Sequence, residues 1–148
     1  MTASRGFLYG VGADDVYIKS AKMSASSIRD NYPDANITLC APERMIDHEC
    51  REIFDNIITG PYVPDSTRTK LWALAKTPYD LTMYMDADTV CVSEEIQTCW
   101  DQIQDNDIVF TLIRKYNSNP RGLVPDPDYR YHGGVFLYNR NAIPMMVA

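Results

Sequence analysis

Leu81-Thr82-Met83-Tyr84-Met85-Asp86-Ala87-Asp88-Thr89 is the stretch on which the fold turns. Its first five residues form the most strand-like run of the chain, and it passes straight into two carboxylates one residue apart. Open α/β sheets bind ligands outside the carboxyl ends of their strands, which is where Asp86 and Asp88 would stand. In an extended segment residues i and i+2 point the same way, so both acids are expected to face one point. Two converging carboxylates repel unless one stays protonated or a cation lies between them. Mg²⁺ or Mn²⁺ meets that need, because hard divalent ions prefer oxygen ligands and commonly bridge substrate phosphates. Asp-x-Asp is a common string, however, and an acidic turn without metal also accounts for it.

Strands and helices alternate on both sides of this run. Phe7–Val11 is a short apolar run closed by Gly12 and reads as a first buried strand. Asp14 or Asp15 caps a helix to about Asn31, with Ile18, Ala21, Ala25 and Ile28 on one face and Pro33 as its stop. Ile37–Ala41 reads as a second strand, Glu43–Phe54 as a helix and Asn56–Thr59 as a short strand. Gly60–Pro64 is a loop before a helix from about Ser66 to Lys76. Downstream of the acidic pair come an extended piece (Thr89–Val92), a Ser93-capped helix to about Ile103, and strands at Ile108–Ile113 and Gly134–Tyr138. The alternation predicts an α/β fold with a mainly parallel sheet.

The 148 residues read as one domain, 1–148, large enough to bury about 70% of the unfolded surface. A net charge of −6 argues against a non-specific nucleic-acid binder, whose affinity comes from phosphate neutralisation. No run approaches a membrane span, and Met1–Arg5 lacks the charged-then-apolar opening of a signal peptide, so a cytoplasmic protein is expected. Cys40, Cys50, Cys91 and Cys99 lack metal-ligand spacing and read as reduced thiols, with Cys40 and Cys91 in the core. Arg114–Gly133 is a twenty-residue segment with three prolines and a net charge of +2 inside an acidic chain. It reads as a long loop, either a solvated surface segment or a lid facing phosphate or acceptor.

Two families use an apolar run followed by Asp-x-Asp. In haloacid-dehalogenase-type phosphatases Asp86 would be the nucleophile and Asp88 the general acid. That motif ends the first strand of its fold, whereas some eighty residues precede it here and no suitable acidic pair follows. Three ordered blocks point elsewhere. They are Phe7–Val11 with Asp15-x-Tyr17 and Ser26-Ser27-Ile28-Arg29; Thr69-Lys70-Leu71 leading to Met85-Asp86-Ala87-Asp88-Thr89; and Tyr131-His132-Gly133-Gly134-Val135-Phe136. Together they resemble the glycogenin-like members of glycosyltransferase family 8, which have the GT-A fold. The resemblance covers nearly the whole chain but only the first half to two-thirds of that family's domain.

The resemblance implies a site for a uridine diphosphate (UDP) sugar. Val11, Gly12 and Ala13 would line uracil and ribose, and Tyr17 would pack on the uracil. Lys70 would help hold the anionic donor, and Asp86, Ala87 and Asp88 would carry Mn²⁺ or Mg²⁺ on the diphosphate. His132 and Gly133 stand where the family has Asn-Ser, so a sugar-contacting amide is replaced. The family's upstream arginine falls at Pro61, with Arg68 one helical turn away. Its Asp-Gln segment and its C-terminal block, which supplies the third metal ligand, have no counterpart.

The expected function is therefore a metal-dependent, retaining glycosyltransferase with Asp86, Asp88 and Lys70 at its catalytic centre. The acceptor, a saccharide or a protein, stays open, as does a homodimer. Two alternatives remain: a donor-binding remnant or partner-dependent subunit with slow donor hydrolysis, and a nucleotidyltransferase. The last would lack the Gly-rich motif expected after the first strand.

Overall fold

A computed structural model describes residues 4–112 and 131–147. Six strands form one sheet: β1 (Arg5–Gly10), β2 (Ile37–Cys40), β3 (Asn56–Ile58), β4 (Leu81–Met85), β5 (Ile108–Leu112) and β6 (Tyr131–Asn139). Their order is β3-β2-β1-β4-β6-β5. β1 pairs in parallel with β2 and β4, and β2 with β3, whereas β6 runs antiparallel to both β4 and β5. The mainly parallel α/β sheet is thus present, with one reversed strand inserted between β4 and β5.

The central strands carry apolar residues on both faces because both are covered by helices. On one face Phe7 and Tyr9 pack with Ile18, Ala21, Ala25 and Ile28 of α1 (Asp15–Asn31). Cys50 of α2 (His48–Ile53) and Trp100 complete that layer. On the other face Leu8, Tyr84, Phe136 and Tyr138 meet Ala73 and Leu74 of α3 (Thr69–Leu74), and Ile143 of α4 (Ile143–Val147) packs against them. Cys40, Cys50 and Cys91 are buried, Cys99 is exposed, and all four are free thiols. Burial pushes the Cys40 thiol up to about 12, as befits an inert core residue. No helix among the described residues is long and apolar enough to cross a membrane.

Several boundaries differ from expectation for local reasons. Asp14 caps α1, its carboxylate accepting from the Val16 amide. The helix expected over Glu43–Phe54 divides into a 3₁₀ turn at Glu43–Met45 and α2. Between them the extended Asp47 accepts from the Cys50 amide and starts a new helix. The helix expected from Ser66 begins at Thr69, because the Thr69 hydroxyl folds back on the carbonyls of Pro64 and Ser66. Glu94–Gln102 winds as 3₁₀ behind its expected Ser93 cap. Thr89–Val92 joins no strand. Of the expected loop Arg114–Gly133, residues 114–130 lie outside the described residues. Tyr131–Gly133 belong to β6, drawn into the sheet by pairing of Thr111 and Leu112 with His132 and Tyr131.

Candidate functional site

Gly10 ends β1 and Met85 ends β4, and these two parallel neighbours open a cleft at their carboxyl ends. Two glycines let α3 sit directly on that opening. A Cβ on Gly10 would lie 2.8 Å from the Lys70 Cα, and one on Gly12 would lie 2.5 Å from the Ser66 carbonyl oxygen. Their absence brings the first turn of α3 down onto the end of β1 and swings Lys70 over the cleft.

The Lys70 ammonium donates to Asp86 Oδ1 at 2.8 Å and to the Gly133 carbonyl at 2.5 Å. It also stands 4.4 Å from the ring centre of Tyr84, a cation–π contact. Burial, followed by the negative charge of Asp86, pushes the Tyr84 phenol well above its ordinary range, so it stays neutral. Asp86 is further fixed by its backbone amide, which donates to the Gly134 carbonyl at 2.6 Å.

Asp86–Thr89 is a tight turn, not the extended segment expected. The Thr89 amide and hydroxyl both donate to the Asp86 carbonyl, at 3.2 and 2.8 Å. The turn still presents both carboxylates to one cleft of about 230 Å³. Val11, Gly12 and Tyr17 line it on the β1 side, and Lys70, Tyr84, Asp86, Ala87 and Asp88 on the β4 side. Ser66 and Thr67, which sequence reasoning overlooked, complete the wall just ahead of Lys70. Tyr84 was overlooked too, although its place two residues before Asp86 on a strand put it on the same face.

Three expected residues lie outside the lining. Ala13 adopts a left-handed backbone (φ 75°) and turns its polar groups elsewhere. Its amide donates to Asp65 Oδ1 at 3.1 Å, and its carbonyl accepts from Arg44 Nη2 at 2.9 Å. Arg44 also grips Asp65 through two nitrogens and reaches Asp15, so one guanidinium ties together three loops around the cleft. His132 folds its ring onto its own strand, where Nδ1 accepts from the Gly134 amide at 3.0 Å. Gly133 takes part only through the carbonyl that accepts from Lys70.

The donor set suits a hard divalent ion: two carboxylates on one turn, facing a cleft with space for phosphate oxygens. No group of three His, Cys, Asp or Glu residues among the described residues encloses a cation, so any remaining ligands must come from the substrate, from water or from outside the described residues.

No protein-family profile matches the chain, and no curated protein does. Solved structures do. The chain is similar to the galactosyltransferase LgtC in complex with donor and acceptor sugar analogues: TM-score 0.59, 20% identity, 91% of this chain and 58% of that one. It is similar to the mannosyltransferase PcManGT from Pyrobaculum calidifontis in complex with GDP-Man and Mn²⁺: TM-score 0.63, 9% identity, 99% and 47% coverage. It is also similar to CMP:2-keto-3-deoxy-manno-octonic acid synthetase complexed with CTP: TM-score 0.61, 9% identity, 96% and 76% coverage. These likenesses show the fold alone, an α/β architecture of the GT-A type. The chain spans less than three-fifths of the length of LgtC.

Proposed function

We propose that this chain is a glycosyltransferase domain that takes a UDP-sugar as donor, with Mn²⁺ or Mg²⁺ held by Asp86 and Asp88. The observation that carries the reading is the convergence of Asp86, Asp88, Lys70 and Tyr17 on one cleft at the carboxyl ends of parallel strands. Two structures of similar fold support it, one in complex with donor and acceptor sugar analogues and one with GDP-Man and Mn²⁺.

Each residue has a separable task. Tyr17, half exposed on the cleft wall, offers a ring to the base, and the backbone of Gly12 lines the place beside it for the ribose. Lys70 supplies a cation to the phosphate oxygens and, by its contact with Asp86, keeps that carboxylate turned into the cleft. Asp86 and Asp88 would hold the metal, which when bound stabilises the negative charge left on the diphosphate as the sugar departs. Neutral Tyr84 closes the cleft floor and excludes water beneath the phosphates. Retention at the anomeric carbon follows from the resemblance to the glycogenin-like family.

The test is binding of UDP, GDP and CDP with and without Mn²⁺, read by thermal shift and calorimetry. Joint saturation near 100 times the dissociation constant adds about 2.7 kcal/mol of stability. For a domain of this size that amounts to about 5–10 °C in melting temperature. UDP should bind at least about tenfold tighter than GDP, a difference of about 1.4 kcal/mol. Asp88→Ala should abolish the joint shift. An unchanged metal-dependent shift in that variant overturns the metal assignment, and equal affinities for UDP and GDP overturn the uridine assignment. CDP binding with release of diphosphate from CTP would favour the nucleotidyltransferase reading instead.

A further inference from the structure

Beneath the carboxylate turn runs a chain of hydroxyls from Tyr9, Ser24 and Thr89, none of which lines the cleft. Tyr9 Oη lies 2.7 Å from Ser24 Oγ, Ser24 Oγ lies 2.9 Å from Thr89 Oγ1, and the Thr89 hydroxyl donates to the Asp86 carbonyl at 2.8 Å. Each hydroxyl has one hydrogen, so the direction of the chain is fixed from its far end. Thr89 gives its hydrogen to Asp86 and must accept from Ser24, which must in turn accept from Tyr9. Tyr9 and Ser24 are fully buried and Thr89 half-buried, so no solvent competes for the Tyr9–Ser24 bond at the base of the chain.

The same helix grips the chain again just beyond the turn. Ser27 Oγ accepts from the Cys91 amide at 2.9 Å, and Asn31 Nδ2 donates to the Cys91 carbonyl at 3.2 Å. Ser24, Ser27 and Asn31 are spaced i, i+3 and i+7, so they form a polar stripe along one side of α1. That stripe borders the apolar face of Ile18, Ala21, Ala25 and Ile28. Polar groups withdrawn from water need partners, and all three find them on residues 86–91 or on α1 itself.

We propose that Ser24, through Thr89, is a positioning residue for the Asp86–Asp88 carboxylate pair, and that the polar stripe of α1 presets the turn that would receive the divalent cation. The proposal rests on the metal-binding reading of that pair. A tight turn with two ligands at positions i and i+2 has its donor geometry set by the backbone of the turn. The Asp86 carbonyl is where the hydroxyl chain holds that backbone. Lys70 reaches the nucleotide from α3 and Tyr17 from the first turn of α1, seven residues before Ser24, and neither bonds to the hydroxyl chain.

The experiment measures UDP affinity by calorimetry, with and without saturating Mn²⁺, in wild type, Ser24→Ala, Thr89→Val and Thr89→Ser. The expected result is an about tenfold loss of the Mn²⁺-dependent gain in Ser24→Ala and Thr89→Val, because small misplacement of a preorganised ligand pair is costly. Metal-free UDP affinity should change less than about twofold, and Thr89→Ser should restore the gain by restoring the hydroxyl. The double variant Ser24→Ala/Thr89→Val should lose no more than either single one, since both break the same chain. If Ser24→Ala does not fold, the Thr89 pair carries the same comparison. The proposal is overturned if Thr89→Val keeps the full Mn²⁺ gain, or if the variants lose metal-free and metal-dependent affinity alike. A wild type that gains no UDP affinity from Mn²⁺ overturns the underlying metal reading as well, so the two failures are distinguishable.

Discussion

On the function proposed above, Lys70 occupies a cation's place beside Asp86, so it and the metal would compete for one carboxylate until a diphosphate took the lysine. Lys70→Met removes the charge and keeps most of the stem, which isolates that competition. The ammonium is 2.8 Å from Asp86 Oδ1, with the two side chains 29% and 34% exposed. At about 4 Å a unit pair is worth about 1 kcal/mol in water and about 4 kcal/mol at an effective dielectric of about 20. Double-mutant cycles on comparably exposed pairs give at most about 1 kcal/mol net, and that lower figure is the one to use. Freeing Asp86 should therefore tighten binding of Mn²⁺ alone by about fivefold, the equivalent of about 1 kcal/mol. Metal-free UDP loses its cation and should weaken by about tenfold, as expected for one charge-assisted contact. The two affinities thus move in opposite directions, and the coupling between UDP and Mn²⁺ falls by the same factor measured from either ligand. Calorimetric titrations of each ligand alone and of each in the presence of the other, at fixed ionic strength, give all four constants. If Lys70→Met leaves binding of Mn²⁺ alone unchanged, Asp86 is not the shared site and the competition argument fails.

Two further outcomes follow from the packing. Gly12→Ala sets a Cβ against the Thr69 hydroxyl and 2.5 Å from the Ser66 carbonyl oxygen, so α3 must back away. Overpacking with loss of a threonine hydrogen bond should cost about 2–4 kcal/mol in urea unfolding, and a cost under about 0.5 kcal/mol would refute the close approach. Lys22, nearly buried on α1, donates to Asp47 and Glu49. The hydrogen bond from Lys22, followed by that from the Cys50 amide, holds the Asp47 carboxyl well below the usual range. A depressed carboxylate stabilises the fold above its unfolded pKa and loses that contribution as pH falls through the folded one. Asp47→Asn keeps the α2 cap and removes the charge. Its melting temperature should therefore lie below wild type at pH 7, and the two should converge as pH drops below the ordinary carboxylate range. A gap that does not change with pH would show that the charge contributes nothing.

The sheet was legible where burial dictated the pattern. Leu81–Met85 could be bounded to the residue because an apolar run met two charges, and α1 because Asp14 opens it and Pro33 closes it. Short-range polar chemistry was harder to read. Asp47 breaks the predicted helix by capping a new one, a role that its side chain fills only once Cys50 is in place. Of Tyr131–Gly133 only Tyr131 favours a strand by itself, Gly133 disfavours one, and the segment becomes strand by pairing with β5. In the site, the meeting of Lys70 and Asp86 at one cleft was implied only by the family resemblance. The bracing was not, because Arg44, Asp65 and Ala13 are distant in sequence and meet only after three loops close. Ser24 left a readable trace as the first member of a polar stripe on a helix whose neighbouring face is apolar.

The cleft is braced differently at its two ends, and that difference can be measured. The carboxylate end rests on buried hydroxyls. The end proposed to take the base, here called the base end, rests on the ion pairs of Arg44 with Asp65 and Asp15, which lie at the surface with side chains 42–70% exposed. Salt shortens the reach of surface charges from about 10 Å at 0.1 M to about 3 Å at 1 M, and leaves buried neutral hydrogen bonds almost untouched. Uridine is a suitable probe because it carries no charge of its own. Raising NaCl from about 0.05 to about 0.5 M should weaken uridine binding by about two- to threefold, because the exposed pairs that hold the Ala13 and Ser66 loops together are screened. In Arg44→Ala the affinity should already be lower and should no longer respond to salt, since the charge being screened is gone. Equilibrium dialysis with radiolabelled uridine at four salt concentrations measures both slopes. Equal slopes in wild type and Arg44→Ala would mean that the guanidinium does not set the base end of the cleft, and the loops there would have to be held by backbone contacts such as the Asp14 amide to Gly12 carbonyl bond alone.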